Sequence, residues 1–185
     1  MGFQNVVFII IIIMSDKPKL YDYQEEGVRM ELAMKRCING DDMGTGKTVQ
    51  SIVAIERAKA TPCLVICPAA LKVNWEREIK KFTNLRPLIL TDSVNATYGY
   101  HLTKMDLYDV VICNYESLAK YFVVSLGEKP LKLKNFIFRN EVDILKSVII
   151  DESARVKDPT TRQSKIIMGI CQGKEYIYEL TGTPV

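Results

Sequence analysis

The stretch Gly40 to Gln50, reading Gly-Asp-Asp-Met-Gly-Thr-Gly-Lys-Thr-Val-Gln, constrains this chain more than any other. Gly44 and Gly46 flank Thr45 and let the backbone turn its N–H groups inward, Lys47 adds a point charge, and Thr48 adds a hydroxyl suited to a magnesium ion. Val49, Ile52, Val53, Ala54 and Ile55 then read as a buried helix, whose positive N-terminal end would face bound phosphates. Cys37 to Asn39 reads as a short strand leading into the loop. The strict pattern G-x-x-x-x-G-K-[ST] is not met, because Asp41 occupies its first glycine position and Gly40 comes one residue early. For the loop taken alone, a glycine-rich turn that binds nothing is an alternative reading.

Downstream, apolar runs alternate with helical patterns. Pro62 to Cys67, Arg86 to Leu90, Asp109 to Cys113 and Ser147 to Ile150 are short runs of the kind that form strands buried on both faces. Between the first two, Leu71, Trp75, Ile79 and Phe82 fall at helical spacing, with Trp75 read as core packing and Lys72, Arg77, Lys80 and Lys81 as a solvated face. A polar, glycine-containing loop is expected around Asn95 to Lys104, and a helix through Leu118 and Phe122. The basic segment from Lys129 to Arg139, with interleaved Leu131, Leu133, Phe136 and Phe138, reads either as an insertion or as a connecting helix. A helix through Ile166, Ile167 and Ile170 leads to a last strand, Tyr176 to Leu180, followed by Thr181-Gly182-Thr183-Pro184. Alternation of this kind predicts an α/β fold with a mainly parallel sheet.

The strand at Ser147 ends in Asp151-Glu152, two carboxylates delivered together at a strand end. In open α/β sheets ligands bind outside the carboxyl ends of the strands, where the glycine-rich loop would also lie. Asp151 could hold magnesium, and Glu152 could orient or deprotonate an attacking water. An acidic strand end is common; coming after a phosphate loop and several βα units, it carries more weight.

Near the start of the folded region, Asp22 and Glu25 resemble a capping box opening a helix that runs towards Lys35, with Met30, Leu32 and Met34 as its apolar side. Gln24 on that helix is either a plain exposed residue or, because an amide both gives and accepts, a reader of the N6 and N7 edge of adenine. Upstream, Val6 to Met14 is an unbroken apolar run, too short to span a bilayer and without the basic residue or the cleavage site of a signal peptide. It is expected to be an extension, dispensable for nucleotide binding, with residues 1–19 lying outside the folded domain. No membrane association is expected.

The 185 residues, 48% hydrophobic and 25% charged, suit one globular domain, and a net charge of +3 neither demands nor excludes a polyanionic partner. Five scattered cysteines, Cys37, Cys63, Cys67, Cys113 and Cys171, form no C-x-x-C pair. Cys63 and Cys67 share one strand face but would lie about 13 Å apart, too far for a disulfide. A reduced, cytoplasmic chain is the resulting expectation. His101, the only histidine, is expected at the surface, which leaves no histidine-based triad or metal cluster.

Taken in order, these pieces resemble the first motor lobe of helicase-like ATPases of superfamily two, most closely the Swi/Snf-type translocases. Leu20, Tyr23, Gln24, Gly27 and Val28 resemble the adenine-reading glutamine motif, and Asp41 to Thr48, including Met43, resembles motif I. Pro68, Leu71, Asn74, Trp75 and Glu78 resemble motif Ia, Asn114 to Glu116 a nucleic-acid-facing motif, Asp151-Glu152 with Lys157 and Pro159 motif II, and Leu180 to Pro184 motif III. Asp22 stands where the family usually has proline, Thr45 where leucine is common, Asp158 where asparagine is, and Ala154 where a histidine couples nucleotide chemistry to motif III.

The resemblance implies a RecA-like three-layer αβα P-loop NTPase domain over residues 20–185, binding ATP and magnesium. It implies nucleotide contacts from Tyr23, Gln24, Met43, Gly44, Thr45, Gly46, Lys47 and Thr48, metal contacts from Thr48 and Asp151, and catalytic roles for Lys47, Asp151 and Glu152. It also implies double-stranded DNA and a second RecA-like lobe as partners, the latter in a downstream segment or a separate chain, and a prokaryotic or phage source. The activity expected is ATP-dependent translocation on DNA, with weak hydrolysis by this lobe alone. A non-catalytic nucleotide-binding interaction module is the alternative. A small-molecule kinase fits poorly, because it would lack the glutamine motif and the Thr-Gly-Thr-Pro strand end.

Overall fold

The computed structural model describes residues 17–128 and 131–182. Helix α1 (Asp22–Met34) leads into strand β1 (Arg36–Asn39), and the glycine-rich loop follows before helix α2 (Lys47–Ala58). Strand β2 (Cys63–Cys67), helix α3 (Lys72–Phe82), β3 (Pro87–Ile89), α4 (Tyr98–Thr103) and β4 (Val110–Asn114) come next. Then α5 (Leu118–Phe122), β5 (Val123–Ser125), β6 (Ile137–Phe138), α6 (Glu141–Ile144), β7 (Ser147–Asp151), α7 (Arg162–Cys171) and β8 (Tyr176–Leu180) complete the order.

Six strands form one sheet in the order β1-β8-β7-β2-β4-β3, every pair parallel. Side chains alternate across it as the pleat requires. Cys63, Val65, Cys67, Val110, Ile112, Ile149 and Tyr178 face one core with residues of α1, α2 and α3. Leu64, Ile66, Val111, Cys113, Val148 and Ile150 face the other, with residues of α4 to α7. The three-layer arrangement expected from the alternating pattern is therefore present. Cys63 and Cys67 do share a face, and all five cysteines are free. No described helix is long and apolar enough to cross a membrane.

Several local expectations are corrected. Helix α1 is capped at Tyr21, whose backbone N–H donates to Gln24 Oε1 at 3.1 Å, while Glu25 pairs with Arg57 of α2 at 2.7 Å. Its buried side is Gln24, Val28 and Glu31, and the methionines expected to face inward are 57% (Met30) and 59% (Met34) exposed. The loop expected around Asn95 to Lys104 contains α4, and His101 within it is half-buried, its Nδ1 enclosed without a hydrogen-bond partner among the described residues. The described part of the basic segment contains no α-helix: a 3-10 turn at Leu133–Asn135 precedes β6, which pairs antiparallel with β5 as a small hairpin. Phe136 is buried there, and Leu131, Leu133 and Phe138 pack on the α4 to α7 core. The apolar run at Val6 to Met14 lies outside the described residues.

Candidate active site

Strand order builds the site. The glycine-rich loop leaves the carboxyl end of β1, Asp151 ends β7, and β8 runs between them with Leu180 in register with both Asn39 and Asp151. Three strand ends therefore meet at one edge of the sheet. A cleft of about 290 Å³ opens there, lined by Met43, Gly44, Gly46, Lys47, Thr48, Asp151 and Glu152 together with Asn74, Trp75, Glu78 and Gly182.

Gly44 and Gly46 have φ of 86° and 84°, in the region that side chains other than glycine's rarely adopt. Gly46 caps α2, so the helix N-terminus with its unpaired N–H groups and positive dipole end points into the cleft. The Lys47 ammonium is folded back on the loop, donating to the carbonyls of Asp41 at 2.5 Å and Asp42 at 2.9 Å. Those carbonyls are an uncharged seat beside the cleft, and no ion pair to Lys47 occurs among the described residues. A cradle of positive partial charge, a lysine and a threonine hydroxyl opposite two carboxylates is a donor set that fits a magnesium-bound polyphosphate.

Asp151 is half-buried. Its Oδ2 accepts from the indole N–H of Trp75 at 2.8 Å, and its carbonyl accepts from the Tyr115 hydroxyl at 2.5 Å. Burial raises the Asp151 pKa above the usual carboxylate value and neighbouring Glu152 adds to this, while the Trp75 bond and the Lys47 charge oppose it. Glu152 follows at φ 56° and ψ 48°, a left-handed conformation that costs energy for a side-chain-bearing residue. That turn ends the strand sharply and brings the Glu152 side chain to the cleft.

Trp75 belongs to the core, as its helical spacing indicated, but its polar edge belongs to the site. Asn74 and Glu78 reach the cleft from the same helix, and Gly182 reaches it from the end of β8. Asn74, Trp75 and Glu78 stand in the stretch that resembles motif Ia, and Gly182, two residues past the end of β8, in the stretch that resembles motif III.

Tyr23, Gln24 and Thr45 lie apart from the cleft lining. Gln24 is buried behind the loop, donating from Nε2 to the Thr45 carbonyl at 3.2 Å, and a Cβ added to Gly46 would lie 2.3 Å from that nitrogen. Tyr23 is 52% exposed and stacks on Tyr21 with ring centroids 5.7 Å apart. The amide of Gln24 has one N–H and acceptor capacity left for a ligand beside the loop.

Residues 23–185 match the family described as the SNF2-related domain. The chain is 29% identical over 170 residues to the DNA annealing helicase and endonuclease ZRANB3 of Bos taurus, covering 91% of this chain and 15% of that protein. It is 32% identical over 182 residues to the chromodomain-helicase-DNA-binding protein 7 of Homo sapiens, covering 90% and 6%. Among solved structures it is similar to the Sulfolobus solfataricus SWI2/SNF2 ATPase core in complex with double-stranded DNA, with a TM-score of 0.67, 29% identity, and coverage of 91% of this chain and 33% of that one. The parallel sheet with flanking helices is thus the RecA-like fold of that core. With the family match spanning nearly the whole described region, the chain belongs to the SNF2-related domain family, as one lobe of its helicase-like ATPase.

Proposed function

We propose that this chain is the ATP- and magnesium-binding lobe of an ATP-dependent double-stranded DNA translocase, working with a second RecA-like lobe. The observation that carries the reading is that Gly44, Gly46, Lys47 and Thr48 of the loop, the Asp151-Glu152 strand end and the Trp75 indole converge on one cleft at the carboxyl ends of three parallel strands. The DNA in the similar archaeal ATPase core supports a duplex partner. Five free cysteines fit a reducing, cytoplasmic setting.

In this reading the loop N–H groups and Lys47 hold the phosphates, and Gln24 with Tyr23 selects adenine. Thr48 and Asp151 would hold magnesium, and the ion would supply positive charge to offset that of the polyphosphate. Trp75 fixes the rotamer of Asp151, and Glu152 orients the attacking water or takes its proton. Charge developing on the transferred phosphoryl group is stabilised in related reactions by an arginine contributing about a thousand- to a hundred-thousand-fold in rate. Among the described cleft residues there is no arginine, and the second lobe is the proposed source.

Steady-state phosphate release, with and without duplex DNA, tests this, using Glu152→Gln as control for contaminating ATPases. The expected result is binding of ATP with turnover barely above that control, and no rescue by DNA. Robust, DNA-stimulated hydrolysis that depends on Glu152 would overturn the two-lobe reading. Full loss of the Glu152 dependence in the two-lobed enzyme would favour a non-catalytic nucleotide-binding module.

A further inference from the structure

Next to the phosphate loop, among residues that do not line the cleft, a carboxyl is buried in a chain of amides. Glu31, 2% exposed on the inner face of α1, accepts at Oε1 from Asn39 Nδ2 at 2.9 Å and from Ser51 Oγ at 2.8 Å. Asn39 ends β1 and is fully engaged. Its Nδ2 also donates to Gln50 Oε1 at 2.9 Å, and its Oδ1 accepts the backbone N–H of Asp41 at 3.2 Å. Gln50 closes a ring by donating to Asp41 Oδ2 at 3.4 Å, and the Asp41 carbonyl seats the Lys47 ammonium. Gly27 leaves room for this ring: a Cβ there would lie 2.3 Å from Gln50 Oε1.

We propose that Glu31 is a positioning residue for nucleotide binding: through Asn39, Gln50 and Asp41 it sets the seat of Lys47, so that the loop grips a nucleoside triphosphate best while the Glu31 carboxyl is neutral. This rests on the reading of the loop as an ATP cradle.

Glu31 Oε2 is buried with no hydrogen-bond partner, and no ion pair reaches Glu31 among the described residues. An ionised carboxylate with one oxygen unpaired away from water is far costlier than a neutral one. The groups around it add no cation: β1 contributes Cys37 and Asn39, α2 contributes Gln50 and Ser51, β8 contributes the Tyr178 hydroxyl bonded to the Glu31 carbonyl, and the loop contributes the acidic Asp41. Burial first, and Asp41 as a like charge, push the Glu31 pKa up to about 7, against the Asn39 and Ser51 hydrogen bonds. Above that pH the new charge repels Asp41 and moves the carbonyl on which Lys47 sits.

The test compares wild type with Glu31→Gln, which keeps the shape and stays neutral. Titrating magnesium-ATP from about pH 6 to about pH 8.5 removes the nucleotide's own ionisation from the ratio of the two Kd values. That ratio is expected near one at the acid end and at about five- to tenfold weaker binding by wild type at the alkaline end. In parallel, NMR follows the Glu31 carboxyl carbon and the Asp41 and Gly44 amides without nucleotide. In wild type all three are expected to titrate together near neutrality, and the amides to stay flat in Glu31→Gln. Amides that do not follow the carboxyl, or a Kd ratio that does not change with pH, would overturn the proposal. If the amides titrate and neither protein binds ATP at any pH, the ATP reading fails and the relay stands. The carboxyl and amide titrations in wild type decide the relay even if the variant does not fold.

Discussion

The indole N–H of Trp75 lies 2.8 Å from Asp151 Oδ2 and ties helix α3 to the acidic end of strand β7. The ring is buried with Ile79 and Ile112, so one side chain closes the core and aims a carboxylate at the cleft. Trp75→Phe should keep most of the burial and lose the bond. Hydrogen bonds to charged groups contribute about 1.5–3 kcal/mol, and partial exposure of Asp151 places this one at the lower end. Urea unfolding should show a loss of about 1–2 kcal/mol, from the bond and the smaller ring together. ATP binding should need several-fold more magnesium, and an unchanged magnesium requirement would remove Trp75 from the site.

Trp75 is also the single tryptophan of the chain. Its fluorescence should therefore report on Asp151. Magnesium-ATP should change its intensity or emission maximum, and Asp151→Asn should abolish that response. A signal identical in wild type and Asp151→Asn would show that the cleft does not bind where proposed.

Gly44 and Gly46 share a left-handed backbone but differ in surroundings. A Cβ at Gly44 meets nothing within 4 Å, whereas at Gly46 it would collide with Gln24 Nε2. Both substitutions to alanine carry a conformational cost of about 1–2 kcal/mol. Only Gly46→Ala should also displace Gln24, and so weaken the choice of ATP over GTP as Gln24→Ala is expected to do. Competition binding with the two nucleotides distinguishes them; equal selectivity in Gly44→Ala and Gly46→Ala would contradict the placement of Gln24.

Glu31 makes a separate prediction for stability. Its carboxyl binds protons more tightly folded than unfolded, since its pKa moves from 4.5 up to about 7. The folded state is therefore favoured below the unfolded value, and that advantage is lost as pH rises through about 7. The shift corresponds to an upper bound on the order of 3 kcal/mol. Thermal melts of Glu31→Gln should match wild type near pH 4 and lie several degrees higher near pH 8. Melting curves with the same pH dependence in both would mean that Glu31 does not titrate in this range.

Much of this arrangement was legible in the sequence because strands buried on both faces are continuous apolar runs. Cys63 to Cys67, Val110 to Cys113 and Ser147 to Ile150 stand out on that ground alone. The loop glycines and the two acids carry their chemistry in residue type and order, and the cleft unites Gly44, Lys47, Thr48, Asp151 and Glu152. What could not be read were partnerships between residues far apart in the chain. Glu31 looks like a surface residue until Asn39 and Ser51 are found beside it, and Trp75 meets its acceptor 76 residues later. The β5–β6 hairpin escaped for another reason. Its strands are three and two residues long, and its phenylalanines and leucines sit among lysines at spacings that also suit a helix.

Calorimetric titration of the 185-residue chain with magnesium-ATP, set beside Lys47→Ala, tests the central claim most directly. Wild type should bind one ATP per chain, and Lys47→Ala should lose at least about tenfold in affinity, because the ammonium seated on the carbonyls of Asp41 and Asp42 at the cleft is the cation proposed to meet the phosphates. Equal binding by the two proteins, or no binding by wild type, would contradict the assignment of this cleft as a nucleotide site.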